Sequence, residues 1–402
     1  MSATEQAGPS GSSTPVDESG SSRGARSWIQ DVLPTVTGSL AAIALALIVG
    51  AILIIFSTPR VISSLGYVTS YPWDFFKFAG LAVYDGYGAL LQGSVGSTGA
   101  IVRTLERGAP LICAGLGVSL AFRCGLFNIG AQGQLLLGAI AAGWVAFALD
   151  LPAGLHLLVA LAAALAAGGL WGSIPGVLKA RAGAHEVITT IMLNYVALFL
   201  ILYLLGRESF QRPGSDNQLS PPPASSARFP EILGVHTGVL LAFAAAAGVW
   251  WLLERSTWGF AMKAAGSNPA AARTAGISVP QVYVGAMALA GLLAGLAAVM
   301  QILGKGDSLT SNVAGTIGFD AITVALLGRA TPLGTVLAGL LFGALSSGGL
   351  AMQAAAGVPP ELAQVLQALI VLFVAAPALV RAVLRVRSSG PGQGVAARGW
   401  GG

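Results

Sequence analysis

The residues of this chain best placed to do chemistry are uncharged polar side chains set in apolar surroundings. The run Gly125–Gln134 (GLFNIGAQGQ) puts Asn128, Gln132 and Gln134 at the head of one apolar stretch. Asn128 and Gln132 are four apart, the spacing that shares one helix face. Glu186, Thr189, Thr190 and Asn194 form a second group, in which Glu186 shares a face with Thr190 and Thr190 with Asn194. Gln301, Asp320, Gln364 and Gln367 complete the inventory. Such groups can bond one helix to another, at about 0.6 kcal/mol per contact, or they can line a route for a polar solute. Each one alone fits the first role. As a set they point to a pathway, because a pure anchor needs none of them, and the candidates are Asn128, Gln132, Gln134, Thr190, Asn194 and Asp320.

Other chemistry is poorly served. Two cysteines (Cys113, Cys124) and three scattered histidines (His156, His185, His236) supply no paired spacing for zinc. No nucleophile–base constellation stands out. The one Gly-Lys pair, Gly304-Lys305, lacks the upstream glycine and the following Ser or Thr of a phosphate-binding loop.

Long apolar helices must position these groups. Charged residues make up 9% of the chain, against about 25% in a soluble protein. They bracket silent intervals, among them Asp31–Arg60, Arg123–Asp150, Asp150–Lys179, Glu186–Arg207, Arg273–Lys305 and Arg329–Glu361. Crossing a roughly 30 Å hydrocarbon core takes about 20 apolar residues, and most of these intervals suffice. The pattern predicts an all-α polytopic membrane protein of about ten transmembrane helices, near 37–57, 109–123, 128–149, 155–178, 187–206, 237–253, 281–303, 317–328, 332–350 and 362–380. The first is too long for a cleaved signal segment, whose apolar part runs roughly 7–15 residues. Residues 31–387 form the membrane domain. Residues 1–30, rich in Ser and Gly, and the tail 388–402 are expected to be disordered.

Two of the ten spans look broken or partly re-entrant. The second is cut short between Pro110 and Arg123, and the eighth carries Asp320; irregular backbone in a membrane must be buried in protein or line a cavity. Between spans one and two, residues 58–108 read either as an interfacial helix, which Asp74, Lys77 and Asp85 favour, or as an eleventh span. With both termini inside, thirteen of the 21 Lys and Arg lie on the cytoplasmic side, in keeping with the positive-inside bias. Arg381, Arg385 and Arg387, directly after the last span, are the firmest anchor.

The longest inside loop, Glu254–Val279, contains a short capped helix. Asn268 is its cap, Pro269 its first residue, and Gly276 closes it after Ala275. A second piece, Thr257–Ala265, precedes it. This loop (GFAMKAAGSNPAAARTAGI) resembles the cytoplasmic coupling segment of ABC permeases in the branched-chain amino acid, ribose and nucleoside import superfamily. Gly125–Gln134, His185–Tyr195 (HEVITTIMLNY) and Gly318–Gly334 (GFDAITVALLGRATPLG) resemble the signatures of its nucleoside-type branch. The resemblance covers roughly Ala109 to Val380, with departures at Gln132 and His185, where an acid and an Asn are common.

That resemblance implies the permease subunit of an ABC importer for nucleosides, multi-pass in the bacterial cytoplasmic (inner) membrane with both termini inside. It implies three partners: a cytoplasmic ABC ATPase subunit, a second homologous permease, and an extracellular substrate-binding lipoprotein. The chain would then be no enzyme and hold no cofactor, since ATP is bound by the partner subunit, and no nucleic acid is involved. Lys263, Asn268, Arg273 and Gly276 would couple it to the ATPase. Two alternatives stay open: a simple-sugar permease of the ribose or galactose type, and an ion-coupled secondary transporter, whose inverted repeats often pair broken helices.

Overall fold

The computed structural model describes residues 41–376 apart from Asp216. The two terminal segments, the start of the first span and the Arg381–Arg387 anchor lie outside the described residues. Fourteen helices follow one another within the described residues: α1 (Ala41–Ser57), α2 (Pro59–Leu65), α3 (Pro72–Val95), α4 (Thr98–Arg123), α5 (Ala131–Ala148), α6 (Leu155–Ala182), α7 (Glu186–Leu205), α8 (Gly238–Arg255), α9 (Thr257–Ser267), α10 (Pro269–Thr274), α11 (Val279–Val299), α12 (Ile317–Leu327), α13 (Pro332–Ala356) and α14 (Pro360–Ala375). Seven are long and apolar enough to cross a membrane, or eight spans if α1 and α2, bent by 72° at Thr58, count as one. α12 and α14 are apolar but shorter.

Cap chemistry sets several boundaries. The Ser97 hydroxyl accepts from Ala100 N to open α4, and Thr331 accepts from Gly334 N, with Pro332 in the first turn, to open α13. α6 closes on Gly183 at φ 64°, a left-handed cap that glycine adopts without a Cβ clash. Close packing then follows from small residues. Where α6 crosses α11, a Cβ on Gly291 would stand 2.1 Å from the Gly168 carbonyl oxygen, and one on Gly295 only 2.3 Å from that of Ala164. The backbones touch there, which is how apolar helices gain van der Waals energy without a hydrophobic drive. Gly168 and Gly291-x3-Gly295 thus set a tight helix pair.

Two cores result. The larger joins α4 to α9 and α11, with Leu116, Leu120, Leu135, Ile201 and Met287 fully buried. The smaller joins α1, α3, α13 and α14 through Ile54, Leu90, Met352, Leu366 and Ile370. α6 and α7 bury little and show Leu158, Leu170, Met192 and Phe199 outward, as helices facing lipid or another apolar surface do.

The second span differs from the sequence expectation. α4 starts at Thr98, not near Ala109, and runs 26 residues without a break. Its first turns carry Arg103, Glu106 and Arg107, so the charges do not mark its end; Arg107 donates to Ser346 Oγ at 3.2 Å inside the bundle. Pro110 lies within the helix, as neighbouring helices permit in membranes. Residues 72–95 form one helix, which is not among those long and apolar enough to cross a membrane. α3 packs against α13, where a Cβ on Gly93 would meet Ala351 at 2.2 Å, and against α1, whose Leu47 carbonyl accepts from Tyr87 Oη at 2.5 Å. The eighth span is broken as expected. α11 passes into a π-helical turn at Met300–Gly304, residues 305–316 follow without a helix, and α12 has 11 residues. At about 1.5 Å per residue, α12 reaches about half of a roughly 30 Å core.

Between α7 and α8, a short hairpin pairs Glu231–Ile232 with Val235–His236. Its turn, Leu233-Gly234, has φ of 56° and 78°, the left-handed geometry of the tightest hairpins. Backbone bonds from Ser220 N to Leu309 O and from Phe229 N to Leu303 O tie this segment to the break after α11.

Candidate functional site

Three places gather the polar residues. The first surrounds the start of α5. Residues 124–130 are not helical, so Asn128 and Gln132 do not share a helix face as the spacing alone suggests. Asn128 turns its amide on its own neighbourhood: Oδ1 accepts from Gly130 N at 2.9 Å, and Nδ2 donates to Gln134 Oε1 at 3.1 Å. Asn194, on α7, accepts from Gly133 N at 2.8 Å and donates to the Ile129 carbonyl at 2.9 Å. Thr190 Oγ1 donates to the Glu186 carbonyl of its own helix at 2.7 Å, while Glu186 pairs with Lys179 at 2.8 Å. Asn128, Gln134, Thr190 and Asn194 are buried. Gln132 reaches across to the break, donating to Gly315 O at 2.8 Å and accepting from Gly318 N at 2.9 Å. These amides satisfy backbone groups that the non-helical stretches leave open, a strict need where no water is at hand.

Beside them lies a cavity of about 450 Å³ lined by Gln132, Asn194, Tyr195, Asn312 and Phe319. On the other side of the broken span is a second, of about 460 Å³, bounded by α4, the π-helical turn, α12, α13 and α14. Asp320, Gln301, Gln364 and Gln367 all line it, with Arg107, Lys305, Thr316 and Ser346. Of the six pathway candidates, Asp320 faces this cavity, Gln132 and Asn194 face the smaller one, and Asn128, Gln134 and Thr190 line neither. Arg107 and Lys305, which line this cavity, are not among the sequence candidates. Their signal is available in hindsight: Lys305 stands four residues after Gln301, and its Nζ donates to Gln301 Oε1. Partial burial, with Arg107 close by, lowers the Lys305 ammonium from its usual range.

The third place is the loop of α9 and α10. Asn268 Oδ1 accepts from Ala270 N and Ala271 N, both at 3.0 Å, with Pro269 at the first position. Gly276 takes φ 82°. The capped helix read from the sequence is therefore present. Lys263 pairs with Glu254 at 2.8 Å, bracing α9 against the end of α8. A Cβ on Gly266 would meet the Arg123 carbonyl oxygen at 2.2 Å, so the loop rests directly on the end of α4. Arg273 is exposed, as are Trp258 and Phe260, and the loop thus offers a cation and two aromatic rings outward.

Comparison with known proteins places the same regions in a family context. The family model described as branched-chain amino acid transport system / permease component matches residues 100–375. The guanosine ABC transporter permease protein NupP of Bacillus subtilis is 42% identical over 311 residues, covering 76% of this chain and 89% of that protein. The glucose ABC transporter permease protein TsgB13 of Haloferax volcanii is 39% identical over 301 residues, 72% of this chain and 79% of its own. The nucleoside ABC transporter permease protein NupB of Lactococcus lactis subsp. cremoris is 34% identical over 311 residues, 74% and 85%. No solved structure matches.

Proposed function

The chain belongs to the branched-chain amino acid transport system / permease component family, and from that premise we propose that it is the membrane-spanning permease subunit of an ABC importer for nucleosides. The observation that carries the cargo class is the 42% identity to a guanosine permease along 89% of that protein's length. It is joined by the likeness to a nucleoside permease over 85% of its length.

The remaining parts of the reading fit the same frame. ATP is bound and hydrolysed on a separate cytoplasmic subunit, which docks on the α9–α10 loop through Lys263, Asn268, Arg273 and Gly276. A second homologous permease and an extracellular binding lipoprotein complete the importer, in the bacterial cytoplasmic membrane with both termini inside. Asn128, Gln132, Gln134, Thr190, Asn194 and Asp320 line or brace the route. A simple-sugar cargo is the second reading, favoured by the 39% identity to a glucose permease. The ion-coupled alternative loses its main structural support, because α4 is continuous and the pair of broken helices it invoked is not there.

Right-side-out vesicles loaded with ATP, with or without vanadate inside, test the energy source and the cargo together. Guanosine uptake is expected to stop with vanadate and to survive a protonophore. Glucose uptake in place of guanosine selects the sugar reading, and the reverse inhibitor pattern selects a secondary transporter.

A further inference from the structure

The larger cavity has polar walls that the protein satisfies only in part. On α14, Gln364, Gln367, Ala368 and Val371 fall at i, i+3, i+4 and i+7 and line it together, while Leu366, Ile370 and Phe373 on the other face are buried in the smaller core. Neither carboxamide has a hydrogen-bond partner among the described residues. Gln364 is exposed and Gln367 half-buried along the cavity, so two carboxamides one turn apart keep their donors and acceptors free for whatever enters it. The opposite wall is irregular in the same place. The π-helical turn at Met300–Gly304 presents Gln301 and leads to Lys305; such turns are frequent at functional sites. Asp320 accepts from Thr316 Oγ1 at 2.7 Å with Oδ2, which leaves Oδ1 open. Arg107 uses one nitrogen on Ser346 and keeps the other donors of its fork.

We infer that this cavity is a binding site for the cargo within the permease itself, holding a polar, uncharged heterocyclic glycoside through Gln364, Gln367, Gln301 and Asp320 and repelling cations through Arg107 and Lys305. The nucleoside identity of that cargo rests on the function proposed above; the cavity as a cargo site does not. The chemistry matches the class. Carboxamides donate and accept at once, as the edges of a nucleobase and the hydroxyls of a ribose require. Leu111, Phe342 and Leu345 give the apolar surface a ring needs. The volume, about 460 Å³, falls within the roughly 300–1,000 Å³ of small-molecule pockets. Two cationic side chains face one carboxylate, so the fixed charge is positive and a cationic solute is disfavoured at close range.

The test uses the full chain in lipid nanodiscs, without a binding protein, and measures binding of radiolabelled guanosine. Saturable binding is expected, and nicotinamide riboside, a nucleoside of fixed positive charge, should fail to displace it. Gln364→Met with Gln367→Met keeps side-chain length and apolar compatibility, and should weaken guanosine at least tenfold. Lys305→Met should let nicotinamide riboside compete at least fivefold better. Should the double variant lose its monodisperse elution, Gln364→Met alone carries the test with an expected threefold loss. Absence of saturable guanosine binding, or wild-type binding by the glutamine variants, overturns the site even if guanosine uptake in vesicles stands. Binding of glucose in place of guanosine, with the same dependence on Gln364 and Gln367, upholds the cavity as the cargo site and overturns the nucleoside reading.

Discussion

Gln132 and Asp320 are both polar residues in apolar helices, and they differ in what their atoms have left to give. Both ends of Gln132 are engaged with backbone groups of the broken span, so its loss orphans the N–H of buried Gly318 and returns the carbonyl of exposed Gly315 to other partners. Gln132→Leu should lower the thermal stability of the solubilised protein by about 1–3 kcal/mol and reduce transport with it. Asp320→Asn keeps the bond with Thr316 within reach and should reduce transport while leaving stability and membrane expression near wild type. Equal transport and expression losses for the two variants would reduce Asp320 to a packing role. His236 gives a pH signature of a different kind. Its ring is buried and stacked on Phe229 at 5.8 Å, and burial, with help from Lys305, lowers its pKa from 6.5. Below 6.5 the unfolded chain takes up a proton that the folded chain refuses, so stability falls as the pH drops through that window to the folded-state value. Melting at pH 7.5 and 5.5 should show wild type losing a few degrees more than His236→Phe, which keeps the ring packing and removes the titration; parallel losses would put the pH dependence elsewhere.

Helices were legible where two local signals agreed and misleading where they conflicted. α6, α7 and α11 carry charge only in terminal turns, at Lys179, Arg181 and Glu186, and their limits follow nearly correctly from the apolar run between. α4 was cut short because Arg107 and Glu106 looked like loop residues, yet a cation can remain in a membrane helix when the tertiary fold supplies Ser346 and a polar cavity. The 124–130 segment failed in the other direction, since its amides replace helical hydrogen bonds and so permit a non-helical backbone that spacing alone does not announce. α10 was read well because caps are local: Asn268, Pro269 and Gly276 act on their immediate neighbours. Arg273 on this helix is exposed, and surface substitutions usually change stability by only about 0.5 kcal/mol. Arg273→Glu should therefore leave insertion intact and abolish stimulated ATPase activity of the reconstituted complex. Gly276→Val, forced to φ 82° at a cost of about 1–3 kcal/mol, should act in the same direction. Unchanged assembly and ATPase in Arg273→Glu would make the loop a mere connector.

For the molecule as a whole, orientation remains the prediction of charge asymmetry. Cysteines placed singly at Ser215 and Ser267 and treated in intact cells with an impermeant reagent should label at position 215 alone; labelling only at position 267 inverts the topology. The sequence by itself determined the class of protein, because apolar length and scarcity of charge are properties of each segment and need no neighbour. It also determined the family, through four motifs in order within the region that the family model matches, and the capped loop helix. It did not determine how many helices cross: seven or eight of the described helices qualify where about ten were expected. Only the tertiary structure decided which polar groups brace the backbone and which remain open. Asn128, Gln134 and Asn194 look in the sequence like Gln364 and Gln367, yet the first three are bonded and buried and the last two face a cavity. Arg107 and Lys305 meet on its walls from opposite ends of the chain's core region. Hydrogen-bond satisfaction is a relation between distant segments, so it is settled when the helices pack and cannot be read from any one of them.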